Sequence, residues 1–245
     1  MAETVNLSRA EALRIGKKIW QNECAGTIAG LTSWNTGENF ASLGIGHFIW
    51  YPKGVRGPFK ESFPQLVSFA SARGAKLPQV ARANPDGCPW KTRAEFLAAS
   101  ESPEMKELRQ FLADTVDLQA QFLVQRLQQA LPEMLSGAAA ADRENVQRQF
   151  GRVASTAQGC YALVDYVNFK GEGVLESERY SGQGWGLLQV LQGMSGTGNG
   201  AAAAKEFAAS ARKVLTQRVE NSPPERQESR WLAGWLKRVN TYSQS

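Results

Sequence analysis

Apolar residues near the start of the chain recur at helical spacing. Ala12, Ile15, Gly16, Ile19 and Trp20 fall at i, i+3, i+4, i+7 and i+8, which places them on one stripe of an α-helix. Ser8-Arg9-Ala10-Glu11 precedes them as a capping box: the Ser8 hydroxyl accepts from the Glu11 amide, and the Glu11 carboxylate reaches back to the Ser8 amide. The predicted helix runs to about residue 23. The next position of its stripe, i+11, is Glu23, so a carboxylate is expected on the buried face at the C-terminal end.

The pattern then changes. Thr32-Ser33-Trp34 leads into Asn35-Thr36-Gly37-Glu38-Asn39, a turn cluster. Residues 40–51 are β-branched and aromatic, broken by glycines, and predict a small hairpin or meander. Residues 52–93 read as loop with one short helix near 63–73. Ser102-Pro103-Glu104 opens a long helix to about 130, ended by Pro132. Further helices are predicted over about 142–157, 160–169, 185–192 and 201–219, with a glycine-rich linker over 193–200. Ser222-Pro223-Pro224 opens the last helix, on which Trp231 and Trp235 at i and i+4 read as core. The fold class is α+β, mainly helical, with one small antiparallel sheet near the N-terminus.

Composition narrows the chemistry. The chain has 245 residues, 42% hydrophobic and 21% charged, enough for a packed core. It is read as one domain with a small α/β lobe over about 8–93 and a helical lobe over about 94–245. No run of about 18 apolar residues is present, so no membrane span is expected. The net charge of +5 suits a polyanion. Without a basic block or a recognition motif, nucleic acid is not an expected partner. The single histidine is His47, and Cys24, Cys88 and Cys160 form no CxxC pair, so no metal or other cofactor is expected. The cysteines allow at most one disulfide and read as small buried apolar residues. No GxSxG elbow accompanies His47, and no phosphate-binding loop is present. Carboxylate chemistry remains.

Glu23 is the first candidate. Burial disfavours an ionised carboxylate, and a carboxyl that keeps its proton can donate it to a leaving oxygen. The alternative for Glu23 is pairing with Lys17, Lys18 or a backbone group. Its context adds to the reading. Glu23-Cys24-Ala25-Gly26 ends the helix, and the following hairpin contains Ser42-Leu43-Gly44-Ile45-Gly46-His47. This resembles the lysozyme-like superfamily, and most closely the phage-type lysozymes. There a catalytic Glu ends the first helix, and a small sheet follows with an Asp and a Thr-Ile-Gly-x-Gly-His segment. Ser42 stands for Thr and Leu43 for Ile. Ala162-Leu163-Val164-Asp165-Tyr166-Val167-Asn168-Phe169-Lys170-Gly171-Glu172-Gly173 resembles the family's later helix and Asn-x-x-Gly-x-Gly element, which packs against the cleft. The resemblance covers about residues 15–51 and 162–173. Chitosanases and lytic transglycosylases share this core.

The resemblance implies a lysozyme-like fold and a muramidase-like hydrolase acting on the glycan strands of peptidoglycan, with Glu23 as general acid. Asn35 falls near the family's catalytic Asp and cannot act as base or nucleophile. Glu38, in the same turn, is the substitute carboxylate, and Ser42 is a candidate to hold the attacking water. Asn35, Trp50, Tyr51, Tyr166 and Asn168 are the substrate-binding candidates. The aromatic ones, with Trp34 and Trp185, either stack on sugar rings or fill the core. Asn168 either binds an N-acetyl group or caps its helix. His47 is expected to brace the hairpin against the first helix. The alternatives are a chitosanase, a chitinase, a lytic transglycosylase, or a non-catalytic module that binds glycan or a partner protein. Met1-Ala2-Glu3-Thr4 has neither a basic n-region nor an apolar h-region. The expected location is periplasmic or secreted, with the export signal removed.

Overall fold

The computed structural model describes residues 7–57 and 59–244. Residues 1–4, on which the expectation about an export signal rests, lie outside the described residues. The chain divides into two compact units, Ser8–Leu123 and Val124 onward with Leu7. The fold is mainly helical, with a small antiparallel sheet near the N-terminus. No described helix is long and apolar enough to cross a membrane.

In the first unit, the capping box forms as expected at the start of α1 (Arg9–Cys24). Ser8 Oγ accepts from the Glu11 amide at 3.3 Å, and Glu11 Oε2 accepts from the Ser8 amide at 2.9 Å. Ala12, Ile15, Gly16 and Ile19 are buried. Trp20 departs from the stripe: it is half-buried, and its indole N–H donates to Thr27 O at 3.0 Å. A Cβ on Gly16 would lie 2.6 Å from Val116 Cγ1, so the missing side chain permits α1 to approach closely. The sheet is a meander of β1 (Thr32–Ser33), β2 (Ala41–Leu43) and β3 (Phe48–Trp50). Its register pairs Ser33 with Ser42 and Leu43 with Phe48.

After α2 (Phe63–Ser71), near its expected place, come α3 (Gln79–Ala83) and α4 (Arg93–Ala98). Both lie in or beside the stretch read as loop, and both are too short to show a helical period. The long helix expected from 102 to 130 is two helices, α5 (Pro103–Asp114) and α6 (Val116–Gly137), broken at Thr115. Thr115 Oγ1 donates to Phe111 O at 2.7 Å, and Gln119 Nε2 donates to Leu112 O at 2.6 Å. Side chains thus satisfy carbonyls near the break. Pro132 does not end α6. It is exposed and Gln128 is half-exposed, so the carbonyl that a proline leaves unbonded lies on the solvent side.

The second unit contains α7 (Arg143–Ala154), α8 (Ala157–Lys170), the hairpin β4 (Arg179–Tyr180) and β5 (Gln183–Gly184), α9 (Leu187–Gln192), α10 (Ala201–Asn221) and α11 (Ser229–Asn240). The hairpin was not expected. The glycine-rich 193–200 segment is pinned: Glu206 Oε1 accepts from the amides of Ser195 and Gly196, both at 2.8 Å, and Arg152 Nε donates to Gly198 O at 3.1 Å. Two buried carboxylates are each gripped by an arginine fork. Asp165 accepts from Arg238 at 2.8 and 2.9 Å and from Tyr242 at 2.7 Å. Glu228 accepts from Arg218 at 2.7 and 2.9 Å and from Tyr180 at 2.9 Å.

Lys170 lies beside these pairs, 9% exposed. Burial, with the Arg218 and Arg238 guanidiniums nearby and against the upward pull of Glu228, pushes its amine down to about 6. Trp231 and Trp235 are not core as expected. Trp231 is 43% exposed, because in the first turn of α11 it stacks on the half-buried Trp235 instead of entering the interior.

Two outcomes are expected in denaturant titrations. Gln119→Leu leaves the Ile45 amide and Leu112 carbonyl unpaired and lowers stability by about 2–4 kcal/mol, while exposed Gln110→Leu changes it by less than about 0.5 kcal/mol. Lys170→Met raises stability. The unfolded lysine keeps its proton up to about pH 10.5 and the folded one only to about 6, so the unfolded state binds more protons between those limits. The burial penalty is full below pH 6, shrinks as pH rises and is gone above 10.5. The gain from Lys170→Met is on the order of 5 kcal/mol at pH 7 and disappears towards pH 10.5.

Candidate functional site

Three pieces of the first unit carry the expected catalytic residues: the end of α1, the turn between β1 and β2, and β2 with the turn that follows it. Glu23 is in the last turn of α1 with its side chain 14% exposed. The α1 cap is Ala25 in the left-handed region, φ 52°, which turns the chain away directly after Glu23 and Cys24.

His47 closes the turn between β2 and β3. Its Nδ1 lies 3.6 Å from Glu23 Oε2, and its Nε2 lies 3.7 Å from Cys24 Sγ. The imidazole therefore spans the last two residues of α1, as the bracing role requires. The turn is held by three contacts. Gly44 N donates to Leu31 O at 2.7 Å, Ile45 N donates to Gln119 Oε1 at 2.9 Å, and Cys24 Sγ lies 3.8 Å from Gly44 O. Gly44 has φ +69°, and a Cβ there would collide with the Gln119 carboxamide; only glycine meets both demands. His47 itself adopts φ 47°, a region where histidine is enriched among non-glycine residues.

The Cys24–His47–Glu23 row has the residue types of a thiol nucleophile, base and orienter. Its electrostatics oppose that use. Burial and the neighbouring Glu23 charge push the Cys24 thiol up to about 12, whereas a nucleophilic cysteine needs its thiolate near neutral pH.

Asn35 and Glu38 occupy the two ends of one turn: Glu38 N donates to Asn35 O at 3.2 Å. Asn35 Nδ2 donates to Glu38 Oε2 at 3.1 Å, and Trp34 Nε1 donates to Glu38 O at 2.8 Å. Asn35 thus orients the Glu38 carboxylate, which is half-buried. Ser42 is 4% exposed in the middle of β2, paired with Ser33 and Ile49.

The aromatic candidates are corrected by the structure. Trp50 is 1% exposed, with its ring against Phe63 at 4.8 Å and Trp90 at 6.4 Å. Tyr51 is buried against Phe40, and its hydroxyl donates to Phe59 O at 3.4 Å. Tyr166 has no exposed surface and donates to Trp185 O at 2.9 Å. Trp34 and Trp185 are buried too. Rings already packed on protein offer no face to a sugar, so these residues belong to the core. Asn168 lies half-buried in the last turn of α8, whose caps are Thr156 and Gly171. Gln119 was missed, because a polar residue inside the apolar run of α6 announces no partner in sequence. The Asn35–Glu38 bond had a signal, since both residues stand three apart in one turn.

A separate cleft of about 670 Å³ in the same unit is lined by Arg9, Arg73, Lys76, Glu107, Asp114 and Asp117, among others. None of the expected site residues lines it.

The three cysteines are buried and none is in a disulfide, and Cys88, like Cys24, is pushed up to about 12 by burial. In the native protein at pH 8, Cys24 and Cys88 should react with a thiol-specific disulfide reagent at under about 1% of the rate of free cysteine; all three should react promptly in denaturant. Fast native labelling of Cys24 would revive the thiol as a nucleophile.

Compared with known protein families, with curated proteins and with solved structures, the chain matches none.

Proposed function

We propose that this protein is a glycoside hydrolase with a lysozyme-like fold, cleaving the glycan strands of bacterial peptidoglycan outside the cytoplasm. The observation that carries the reading is Glu23: a largely buried carboxyl at the end of α1, 3.6 Å from the histidine of the Gly-Ile-Gly-His turn. Glu23 is the general acid that protonates the leaving oxygen. Glycosidic cleavage also needs a second group at the oxocarbenium-like centre. Glu38, oriented by Asn35, supplies that carboxylate. Ser42 stays a candidate for the water only through its hydroxyl, since its residue is buried. The net charge of +5 suits an anionic wall polymer.

The test is reducing-end release from purified peptidoglycan, chitosan and chitin in parallel. Peptidoglycan is the expected substrate, and Glu23→Gln should lower its turnover by about 10²–10⁴-fold with the fold retained. Glu38→Gln should cut hydrolysis severely while leaving glycan binding nearly unchanged, because its charge acts in the transition state. Unchanged turnover in Glu23→Gln sinks the assignment. Anhydro-sugar ends, lighter by one water, together with a fully active Glu38→Gln would make the enzyme a transglycosylase. Release from chitosan or chitin alone would move the substrate. Binding without cleavage by the wild type would identify a non-catalytic module.

A further inference from the structure

Lys170 ends α8 and is 9% exposed. Among the described residues its amine makes no hydrogen bond and no ion pair. Its Nζ instead lies 3.3 Å from the centre of the Trp235 ring and 4.0 Å from that of Phe169. The charged groups around it are already committed: Arg218 of α10 to Glu228, which precedes α11, and Arg238 of α11 to Asp165 of α8. Tyr180 of β4 also donates to Glu228. The amine therefore has two guanidiniums and two rings for neighbours and no acid of its own.

The nitrogen is not sealed. The one side-chain nitrogen among the described residues that is both fully enclosed and without a hydrogen bond is Arg179 Nε, so Lys170 Nζ keeps a contact with solvent. Trp235, on which the amine rests, stacks on Trp231 at 6.1 Å and 29°, and Trp231 is 43% exposed. An aromatic rim thus runs from the surface towards the amine.

We propose that Lys170 is a nucleophilic amine that forms an imine with an aromatic aldehyde arriving over Trp231. The Nζ lone pair attacks the carbonyl carbon to give a carbinolamine. The carbonyl oxygen then leaves as water, taking both amine protons, and a C=N bond replaces C=O. A desolvated lysine beside other cations is a recognised way to keep an amine unprotonated and reactive near neutral pH. Burial and the two arginines push this one down to about 6. The same burial makes Lys170 destabilising, a cost that a purely structural position would shed by becoming apolar.

The experiment is labelling of the whole protein with pyridoxal and cyanoborohydride, read by peptide mass spectrometry. At pH 7, Lys170 should be labelled at least about 10-fold faster than exposed lysines such as Lys53 and Lys106. Its rate should be level above pH 7 and fall below 6, while theirs keep climbing with pH. Lys170→Met should lose the fast site with the circular dichroism spectrum unchanged. Trp231→Ala should slow labelling by pyridoxal at least about fivefold and leave labelling by formaldehyde, which has no ring to seat, unaltered. Labelling of Lys170 no faster than the exposed lysines, only after unfolding, or climbing with pH as theirs does, overturns the proposal. Equal effects of Trp231→Ala on both aldehydes overturn the aromatic entry.

Discussion

Gln119 has no exposed surface, yet its carboxamide makes three hydrogen bonds. Oε1 accepts from Ile45 N, while Nε2 donates to Leu112 O and to Thr115 Oγ1. Each bond depends on a departure from regular structure. Ile45 offers its amide because the hairpin turn leaves it outside the β-ladder. Leu112 offers its carbonyl because α5 stops at Asp114 and α6 starts at Val116. The carboxamide can approach the turn because Gly44 has no Cβ. A buried amide or carbonyl left unpaired costs about 1–3 kcal/mol, so helix break, glycine and glutamine hold one another in place. The same turn ends in His47, which faces Glu23. The setting of the proposed acid is thus traceable to a polar group on a different helix.

The parts of this arrangement differ in how much of them the sequence discloses, and the difference follows interaction range. The capping box of α1, the buried positions from Ala12 to Ile19 and the meander were legible, because caps, periods and turns act over a few residues. The break at Thr115 was not. The sequence around it stays favourable for helix on both sides, and the compensating bond comes from Gln119, seven residues beyond Leu112. The passage of α6 through Pro132 is similar, since exposure decides whether a lost backbone bond matters. By residue type Trp50 and Tyr166 fit a sugar platform or the core, and the choice is made by neighbours such as Phe63 and Phe207, which bury the rings. Of the expected site, the carboxylates were readable; their orientation was not.

The second unit solves the burial of charge in two ways. Asp165 and Glu228 each receive a forked guanidinium and a tyrosine hydroxyl. A lysine at the C-terminal turn of a helix is ordinarily favoured by the helix dipole and extends its amine into water. Lys170 has that sequence position, so nothing in the sequence separates it from a surface lysine. What changes its character is the pair of rings from Phe169 and Trp235 and the fact that both nearby acids are already engaged. Replacing its amine with a methyl-ended chain should relieve the unit, whereas removing Arg238 or Arg218 would strand a buried carboxylate.

The turn between β1 and β2 applies the opposite principle. Asn35 donates one N–H to Glu38 Oε2 at 3.1 Å. An aspartate at position 35 would instead bring two carboxylates within hydrogen-bond distance, and like charges so close share a single proton. The amide removes that competition and spends its donor on aiming the remaining carboxylate. One oxygen of Glu38 is tied by this bond, which fixes the plane in which the other is presented. In the proposed reaction that matters more than the identity of residue 35. The carboxylate must be negative and correctly placed before charge develops on the sugar, because a group that has to reorient then loses most of its electrostatic effect. Asparagine where the resembling enzymes carry aspartate is therefore compatible with a working site, provided that the second carboxylate is Glu38.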